Sequence, residues 1–578
     1  MTGQRSSFWR TAVAVVIVVL SVAGGWSGAR RASAATLISP STLSIVPAHL
    51  GEGYQAQLTY TVGTTWSVLN GVLPPGLTLT NGRISGTPTQ AGSYTFVVQA
   101  RNSSGSVAMK GYTIFVHPSV ATGYDARLSA IIQAFHDSPS PKPEGCTDDR
   151  GFLNYATAAL WLNQSVADAN EKLAAVRISH VTGESCNGSI DVARANLWLS
   201  YLIRPFGLFS PGSRFFPGRM TTAAANNLIA QMWAYAAPYS KLSQALGPWT
   251  IYDSENHDAQ AKSFNLLAAQ TFKNRTDYVN KVYADGSKPY QQYLKWRDHW
   301  SNWFDARAKR GLFVEVGSPT YHGYTLQAIL NIYNFAEDRV LRRKAGMFLD
   351  LDFADYAQQQ LRNVRGGAKS RSYPVESYDG QSDAMTNFGN LLYGPPKPVR
   401  NNHILMLATS GYYPPKVIRS LAVDQFGKGL FAYTSRWPGV GSGGWDENKN
   451  WHVDPDRSVL NYTFSTPDYV LGAAELDPKN RHIAPSSQNR WQGIVFGTTP
   501  QDRVYPQAAP TSAGSTQDAF VSVQKRNVLI TRKRDYMVRP TLVYFPASLD
   551  VLDEQSGWLF VKEGAAYLAV RPATGGYT

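Results

Sequence analysis

Helical periodicity dominates the middle of this 578-residue chain and limits what the chain can fold into. Between Asp125 and Leu361, apolar residues recur at three- and four-residue spacing in stretches of about 12 to 20 residues. Turns rich in Gly, Pro, Asn or Ser separate the stretches, with no strand-like run between them. We therefore predict an all-α array. Its helices span residues 125–136, 154–174, 189–202, 223–236, 259–272, 289–310, 325–337 and 341–361.

Strand-like runs flank this helical part on both sides. Residues 36–118 alternate apolar and polar side chains, most clearly over 55–62 and 92–100, and predict a β-sandwich module. Short β-branched and aromatic runs return after the helical region, which we place at 124–400. They predict an antiparallel β-sandwich over 401–578. The last run ends close to Thr578, which suggests that this domain is incomplete and its sheet continues further.

The N-terminus is typical of an export signal. Arg5 and Arg10 precede an apolar run over 11–25, and Ala32-Ser33-Ala34 fits a cleavage site. We predict a signal peptide over 1–34 and a protein that is secreted or attached to the cell surface. No later segment has the roughly 18 consecutive apolar residues of a membrane-spanning helix, so we predict no membrane span after signal removal.

The charge favours a polyanionic partner. The formal net charge is +14, and the predicted signal holds four of the arginines and no acidic residue, so the remainder carries +10. Dense Lys/Arg runs and recognisable nucleic-acid modules are missing from the sequence, which argues against nucleic acid. An acidic polysaccharide fits export better. The 15 Trp and 31 Tyr agree with sugar binding, because aromatic rings stack on apolar sugar faces.

The two cysteines, Cys146 and Cys186, predict one disulfide in an oxidising compartment. With only two thiols a cysteine-based zinc site is not expected, and five of the histidines stand apart from one another. The sequence offers no P-loop, Rossmann fingerprint, Gly-x-Ser-x-Gly elbow or His-Glu-x-x-His helix. We predict no metal and no cofactor at the active site, and leave a structural calcium ion open.

The first module carries a recognisable pattern. Leu73-Pro74-Pro75-Gly76-Leu77 is followed by a Gly-Arg-Ile-Ser-Gly-Thr-Pro run over 82–88 and by a strand over 92–100. This pattern resembles the immunoglobulin-like modules of bacterial surface proteins and enzymes. The resemblance implies a cadherin-like β-sandwich that serves as a spacer or adhesive unit. Some relatives bind calcium, but the acidic cluster that this requires is not evident here.

A helical array followed by a sheet domain, behind an export signal, resembles the polysaccharide lyases typified by alginate, heparin and chondroitin lyases. The resemblance covers residues 124 to the end and implies that the helices form an (α/α) toroid. It also implies a site. Asn256 would neutralise a uronate carboxylate, His257 or a tyrosine would remove the C5 proton, and Tyr321 would protonate the leaving oxygen. Tyr324 competes with Tyr321 for the tyrosine role.

Other polar residues surround these positions. Glu315 follows an apolar run and would orient His257 or bind sugar hydroxyls, and Arg371 lies with Arg365 in a polar loop suited to holding a carboxylate. Glu255 precedes Asn256 directly. A purely structural interpretation stands beside this one, in which Asp253 or Ser254 caps a helix that starts near Asp258 and His257 bonds to nearby backbone.

Two other functions remain open. An inverting glycoside hydrolase on an (α/α) toroid would use two carboxylates among Glu255, Asp258 and Glu315, about 6.5 to 9.5 Å apart. A non-catalytic protein that binds carbohydrate at the cell surface is favoured by the adhesion-like first module. Elimination by a lyase leaves an unsaturated uronate that absorbs in the ultraviolet, hydrolysis does not, and a binding protein leaves the polymer length unchanged.

Overall fold

In the computed structural model, three regions follow one another: an N-terminal β region, a central helical region and a C-terminal strand-rich region. The described residues are 14–21, 48–60, 64–90, 92–117, 120–138, 150–177, 192–394, 397–446, 450–475, 490–508, 520–533 and 541–572.

The N-terminal region contains two small sheets around one apolar core. One sheet has the order β2-β8-β7-β4 and the other β3-β6-β5, and both contribute to a core that includes Ile84, Phe96 and Ile114. Gly76 has φ +90°, and a Cβ there would lie 2.0 Å from the Thr87 carbonyl, so the Pro-Pro-Gly turn requires glycine. The strands are β2 Ala48–His49, β3 Tyr54–Gln57, β4 Thr65–Gly71, β5 Leu77–Thr80, β6 Arg83–Gly86, β7 Gly92–Arg101 and β8 Val107–His117.

The helical region supplies the largest apolar core. Its helices are α1 Val120–His136, α2 Arg150–Leu162, α3 Val166–Ala175, α4 Val192–Phe209, α5 Thr222–Tyr239, α6 Glu255–Lys273, α7 Pro289–Arg310, α8 Tyr321–Phe335, α9 Arg339–Gln359, α10 Pro374–Tyr378, α11 Ala384–Tyr393, α12 Ile404–Ala408, α13 Lys416–Val423 and α14 Gln425–Lys428. Three short strands interrupt them, β9 Thr250–Tyr252, β10 Gln360–Leu361 and β11 Val364–Arg365. The short helices continue to Lys428, so the sheet region starts later than residue 401.

Helix boundaries differ from the predicted ones in two informative places. The predicted helix 154–174 is two helices, because Asn163 (φ 58°) and Ser165 (φ 50°) adopt left-handed conformations that a continuous helix cannot contain. Helix α6 starts at Glu255, ahead of the predicted 259. Asn256 and His257 therefore lie in its first turn, where backbone N–H groups are unpaired.

Helix α6 lies inside the helical region and packs against α4, α7 and α8. Both its apolar and many of its polar side chains are buried, among them Phe264, Leu266 and Gln260. A helix buried on all sides is held on every face by neighbouring elements. Residues in its first turn are consequently fixed in position.

The C-terminal region contains two antiparallel sheets that share a core. One has the order β12-β13-β14-β15-β16-β19, with β9 joined to β13, and the other the order β17-β18-β1-β22-β21-β20. Leu471 and Ile494 of the first pack with Leu568 and Val570 of the second. The strands are β12 Phe431–Trp445, β13 Asn450–Ser465, β14 Tyr469–Glu475, β15 Gly493–Phe496, β16 Arg503–Ala508, β17 Phe520–Lys525, β18 Val528–Lys533, β19 Thr541–Tyr544, β20 Asp550–Gln555, β21 Trp558–Glu563, β22 Ala566–Pro572 and β1 Ala14–Ser21.

Strand β1 comes from the apolar run of the predicted signal peptide. It pairs antiparallel with β18 and β22 and separates them. Removal of residues 1–34 would therefore leave an open strand position inside that sheet. Across the described ranges, the helices all fall short of the length and hydropathy needed to cross a bilayer.

Contacts join the N-terminal module to the helical region. Lys416 at the start of α13 forms an ion pair with Glu52 at 2.7 Å, and His49 Nε2 lies 2.9 Å from the Ser420 hydroxyl. These two polar contacts tie the module to the first turns of α13.

Candidate active site

The segment before α6 is held by the C-terminal sheet. Strand β9 pairs antiparallel with the start of β13, with Ile251 opposite Trp451. The chain then turns at Asp253, whose φ is 60°, a left-handed conformation that Asp tolerates better than most residues. The Trp451 indole N–H donates to the Asp253 carbonyl at 2.9 Å. The turn that leads into α6 is thus fixed by a residue from another region.

Glu255 is a structural brace. Its carboxylate accepts hydrogen bonds from Arg307 Nη1 at 2.8 Å, from the Val314 N–H at 2.8 and 2.9 Å and from the Glu315 N–H at 2.7 Å. Its side chain is 3% exposed. A carboxylate with this many donors is fully engaged, and it ties the first turn of α6 to the segment that carries Glu315.

The carboxylate of Asp258 is also engaged in structural contacts. Lys262, one turn later in α6, forms an ion pair with it at 2.8 Å, and the Tyr252 N–H donates to it at 3.1 Å. Burial raises the pKa of Asp258, and the Lys262 charge offsets part of that rise. Glu255 and Asp258, two of the three predicted hydrolase carboxylates, are therefore engaged in contacts that stabilise the start of α6.

Arg371 joins the predicted site residues to one another. Its Nη1 donates to Glu315 Oε1 at 2.6 Å and reaches Asn256 Oδ1 at 3.4 Å. Its guanidinium carbon lies 3.7 Å from the centre of the Tyr321 ring. Arg365, its neighbour in the predicted clamp, is instead buried in an ion pair with Asp355 at 3.0 Å. Arg371 alone of the two reaches the site.

Tyr321 is the first residue of α8, and its N–H donates to the Ser318 hydroxyl at 3.3 Å. Burial raises the pKa of its phenol to about 12, although the Arg371 charge works in the opposite direction. The ring of Tyr373 lies 6.1 Å away, edge to face. Tyr321 is therefore protonated at neutral pH and suited to donate a proton.

His257 is oriented by Asp253. Its Nδ1 lies 2.8 Å from Asp253 Oδ2, one helical turn back, and its side chain is 18% exposed. An imidazole that donates from Nδ1 to a carboxylate presents its other nitrogen, Nε2, as a base. The structure gives Nε2 no hydrogen-bond partner within the described residues. This tautomer is assigned from the hydrogen bond.

Three buried polar atoms of the cluster lack a partner among the described residues: Asn256 Nδ2, Glu315 Oε2 and Arg371 Nε. Asn256 Oδ1 accepts from Ser254 Oγ at 2.9 Å, which orients the amide so that its Nδ2 is the unpaired end. Ser254 thus does not cap the α6 backbone through its side chain. Buried polar atoms without a partner cost free energy, so a ligand that pairs with them would be bound favourably.

The remaining predicted residues lie elsewhere. Tyr324 is one turn further along α8, in the apolar core, where its hydroxyl accepts from Arg150 and its ring meets His403 at 4.3 Å. It does not join the cluster. Its neighbour His322 is buried against Asp352, with Nε2 3.0 Å from that carboxylate. Cys146 and Cys186 fall outside the described residues, so their pairing stays a prediction.

The part of the chain that the structure describes brings together no three His, Cys, Asp or Glu side chains that would hold a metal ion. The cluster combines one partly buried cation, one buried carboxylate, an amide, an imidazole and a phenol. Such a set can bind a carboxylate and move protons without a further group.

Two contributors were not recognised as such from the sequence. Asp253 was considered only as a cap, although its spacing of four residues from His257 is that of side chains on one helical face. Trp451 carries no local signal, because its contact depends on the pairing of two strands that are far apart in the chain.

Comparison with known proteins covers the first module. Residues 29–117 match the family model described as "Putative Ig domain", which confirms the immunoglobulin-like module. A search of the curated proteins finds no match to the chain. The matched range ends well before Asp253 and does not include the candidate active site.

Proposed function

We propose that this protein is a secreted polysaccharide lyase that cleaves an acidic, uronate-containing polysaccharide by β-elimination. The observation that carries the proposal is that Arg371 contacts Asn256, Tyr321 and Glu315, while His257, bonded to Asp253, is close enough for its charge to act on the Glu315 carboxyl. This set matches the needs of proton abstraction next to a carboxylate.

Substrate binding would use the unpaired donors. The Nδ2 of Asn256 and the Nε of Arg371 are N–H donors without an acceptor among the described residues. A uronate carboxylate bound there would accept a hydrogen bond from each of these two N–H groups. Loss of the C5 proton builds negative charge on that carboxylate, and fixed donors in a site shielded from water stabilise this charge more strongly than water does.

Proton transfer would be divided between two residues. His257 Nε2 takes the proton from C5, the C4–O4 bond breaks as a C4–C5 double bond forms, and Tyr321 gives its phenolic proton to the leaving O4. The raised pKa of Tyr321, about 12, supports the donor role because the phenol is protonated at neutral pH. Asp253 keeps the His257 ring in the basic orientation.

Glu315 has a different task. Its Oε1 bonds to Arg371, so it sets the position of the guanidinium. Burial raises the pKa of this carboxyl, and Arg371 lowers it in part. Hydrolysis is less well supported, since Glu255 and Asp258 are engaged with Arg307 and Lys262 and neither is free to act as acid or base.

The test is product chemistry on a panel of uronate-containing and neutral polymers. We expect ultraviolet absorbance and new reducing ends to appear together on at least one acidic polymer and on no neutral one. Reducing ends without absorbance would indicate hydrolysis. Unchanged polymer length on every acidic polymer after prolonged incubation would indicate a binding protein.

A further inference from the structure

A second cationic cavity lies far from the candidate active site. It has a volume of about 430 Å³, within the usual range for small-molecule sites. It is formed by the ends of α4, α6 and α8 and the start of α9. Its lining includes Arg214, Arg339 and Arg342, together with Phe206, Phe215 and Phe335.

Distance separates this cavity from the catalytic cluster. Thr271 lines the cavity and follows Glu255 by sixteen residues of α6, which corresponds to about 24 Å along the helix. Asn334 likewise lies near the end of α8, the helix that begins at Tyr321. The two sites are thus at opposite ends of the same two helices.

Positive charge in the cavity is not balanced by its own walls. Glu337 is the only carboxylate among the described lining residues, and Lys273 forms an ion pair with it at 2.7 Å. Burial and the charge of Arg342 together lower the pKa of Arg214, so the two guanidinium groups are close enough to repel each other. An anion between them would relieve that repulsion.

Capping of α8 explains only part of this arrangement. Arg214 donates to the Asn334 carbonyl, and Arg342 Nη1 donates to the carbonyls of Ala336 at 2.6 Å and Glu337 at 3.2 Å. Each guanidinium has five N–H donors, so most stay available. Within the described residues, Arg339 has neither an ion pair nor a hydrogen-bond partner.

The position of Arg339 and Arg342 on α9 is also unfavourable for the helix itself. Both lie in or next to its first turn, which contains no acidic residue, and cations at a helix N-terminus oppose the helix dipole. The N-cap is supplied by Asp338, which accepts from the N–H groups of Val340 and Leu341. The arginines are not needed to start this helix.

We propose that this cavity is a second binding site for an acidic sugar. Arg214 and Arg339 bind the sugar carboxylate, which then also lies near the charge of Arg342, and the phenylalanine rings contact the apolar face of the sugar. The choice of an acidic sugar rests on the proposed lyase function, whereas the anion site itself rests on the uncompensated arginines. A site here would retain a bound polymer without contacting the reacting bond.

The experiment is a calorimetric titration with D-glucuronate in the Asn256→Ala protein, in which the catalytic pocket is impaired. The variant Arg214→Gln/Arg339→Gln is compared with Arg343→Gln, an exposed arginine of the same helix that does not line the cavity. Arg342 is left unchanged because it holds the end of α8. Circular dichroism establishes that each variant is folded.

We expect the double variant to lose at least tenfold in glucuronate affinity, Arg343→Gln to bind as its parent does, and methyl glucoside not to bind. In the otherwise unaltered protein the same double substitution should leave turnover of a short soluble uronate substrate unchanged. Equal glucuronate affinity in the double variant and its parent overturns the inference. So does binding of sulfate as tight as that of glucuronate, since a sugar site must distinguish the two. Binding is measured without turnover, so the two proposals can fail separately. If the protein binds glucuronate in this cavity but has no lyase activity, the proposed function is wrong and the second binding site is supported.

Discussion

The guanidinium of Arg371 lies on the face of the Tyr321 ring, 3.7 Å from the ring centre. A cation in this position is attracted by the ring and restricts the rotation of the phenol. The same guanidinium bonds to Glu315, so three residues from separate segments share one geometry. Removing any one of them changes the surroundings of the other two.

Tyr321→Phe tests the assignment of the proton donor. We expect kcat to fall by about 10²- to 10⁴-fold, because the leaving oxygen loses its acid. The matched control is Tyr324→Phe, which removes a hydroxyl on the same helix but outside the cluster. It should keep kcat within a few-fold and lose about 1 kcal/mol of stability with the Arg150 hydrogen bond. Initial rates by ultraviolet absorbance decide, and equal effects in both variants would refute the assignment.

Asp253→Asn tests the orientation of His257. The amide can donate to Nδ1 and so favour the imidazole tautomer in which Nε2 carries the proton. We expect a loss of roughly 10²-fold or more in kcat with little change in KM. Asp137→Asn is the control, since Asp137 pairs with His136 at 2.9 Å on α1. A rise in KM with kcat unchanged would show that Asp253 does not act through His257.

Glu315→Gln tests the electrostatics of the cluster. The negative charge of Glu315 raises the pKa of Tyr321, so removing that charge lowers this pKa and leaves Arg371 less compensated. The phenol must be protonated to donate. With the pKa of Tyr321 at about 12, kcat/KM of the unaltered protein should stay level up to about pH 11, whereas kcat/KM of the variant should already fall within that range. A variant whose kcat/KM also stays level up to about pH 11 would contradict the role of Tyr321 as acid.

Glu255→Gln tests whether Glu255 stabilises the fold through its contacts with Arg307 and Val314. The substitution leaves Arg307 as a buried cation without its carboxylate, and such a loss costs about 3 kcal/mol or more. The control is Asp298→Asn, because Asp298 and Arg297 form an ion pair at the surface with a distance of 2.7 Å. Loss of this pair should change the free energy of unfolding by less than about 1 kcal/mol. Thermal unfolding followed by circular dichroism measures both. A hydrolytic role for Glu255 would instead abolish turnover without lowering the melting temperature.

Much of the helical framework could be predicted from the sequence, because in long amphipathic helices apolar residues recur at every third or fourth position. The helix predicted at 289–310 has those bounds in the structure. The break at Asn163 was missed, since two left-handed residues leave no periodic signal. The immunoglobulin-like module was found through its turn glycines, which are fixed by backbone geometry rather than by packing.

The residues of the candidate site were predicted from the sequence, but the contacts between them were not. Periodicity places Asn256 and Tyr321 just ahead of the helices predicted at 259–272 and 325–337, whereas the structure has them in the first turns of α6 and α8. Their link through Arg371 depends on a loop conformation with φ 47°, which no local pattern specifies. The i, i+4 spacing of Asp258 and Lys262 is compatible with the ion pair that they form, whereas the pairing of Glu255 with Arg307 spans 52 residues and has no local signal.

The pairing of Thr250–Tyr252 with Asn450–His452 has a consequence for how activity is acquired. These strands meet across about 200 residues of chain, and closing so long a loop is entropically costly, so the contact forms late. Catalytic competence should then lag behind helix formation during refolding, with absorbance-detected turnover returning after the far-ultraviolet dichroism. If the proposed function holds, the protein would stay inactive until its sheet region has folded onto the helices.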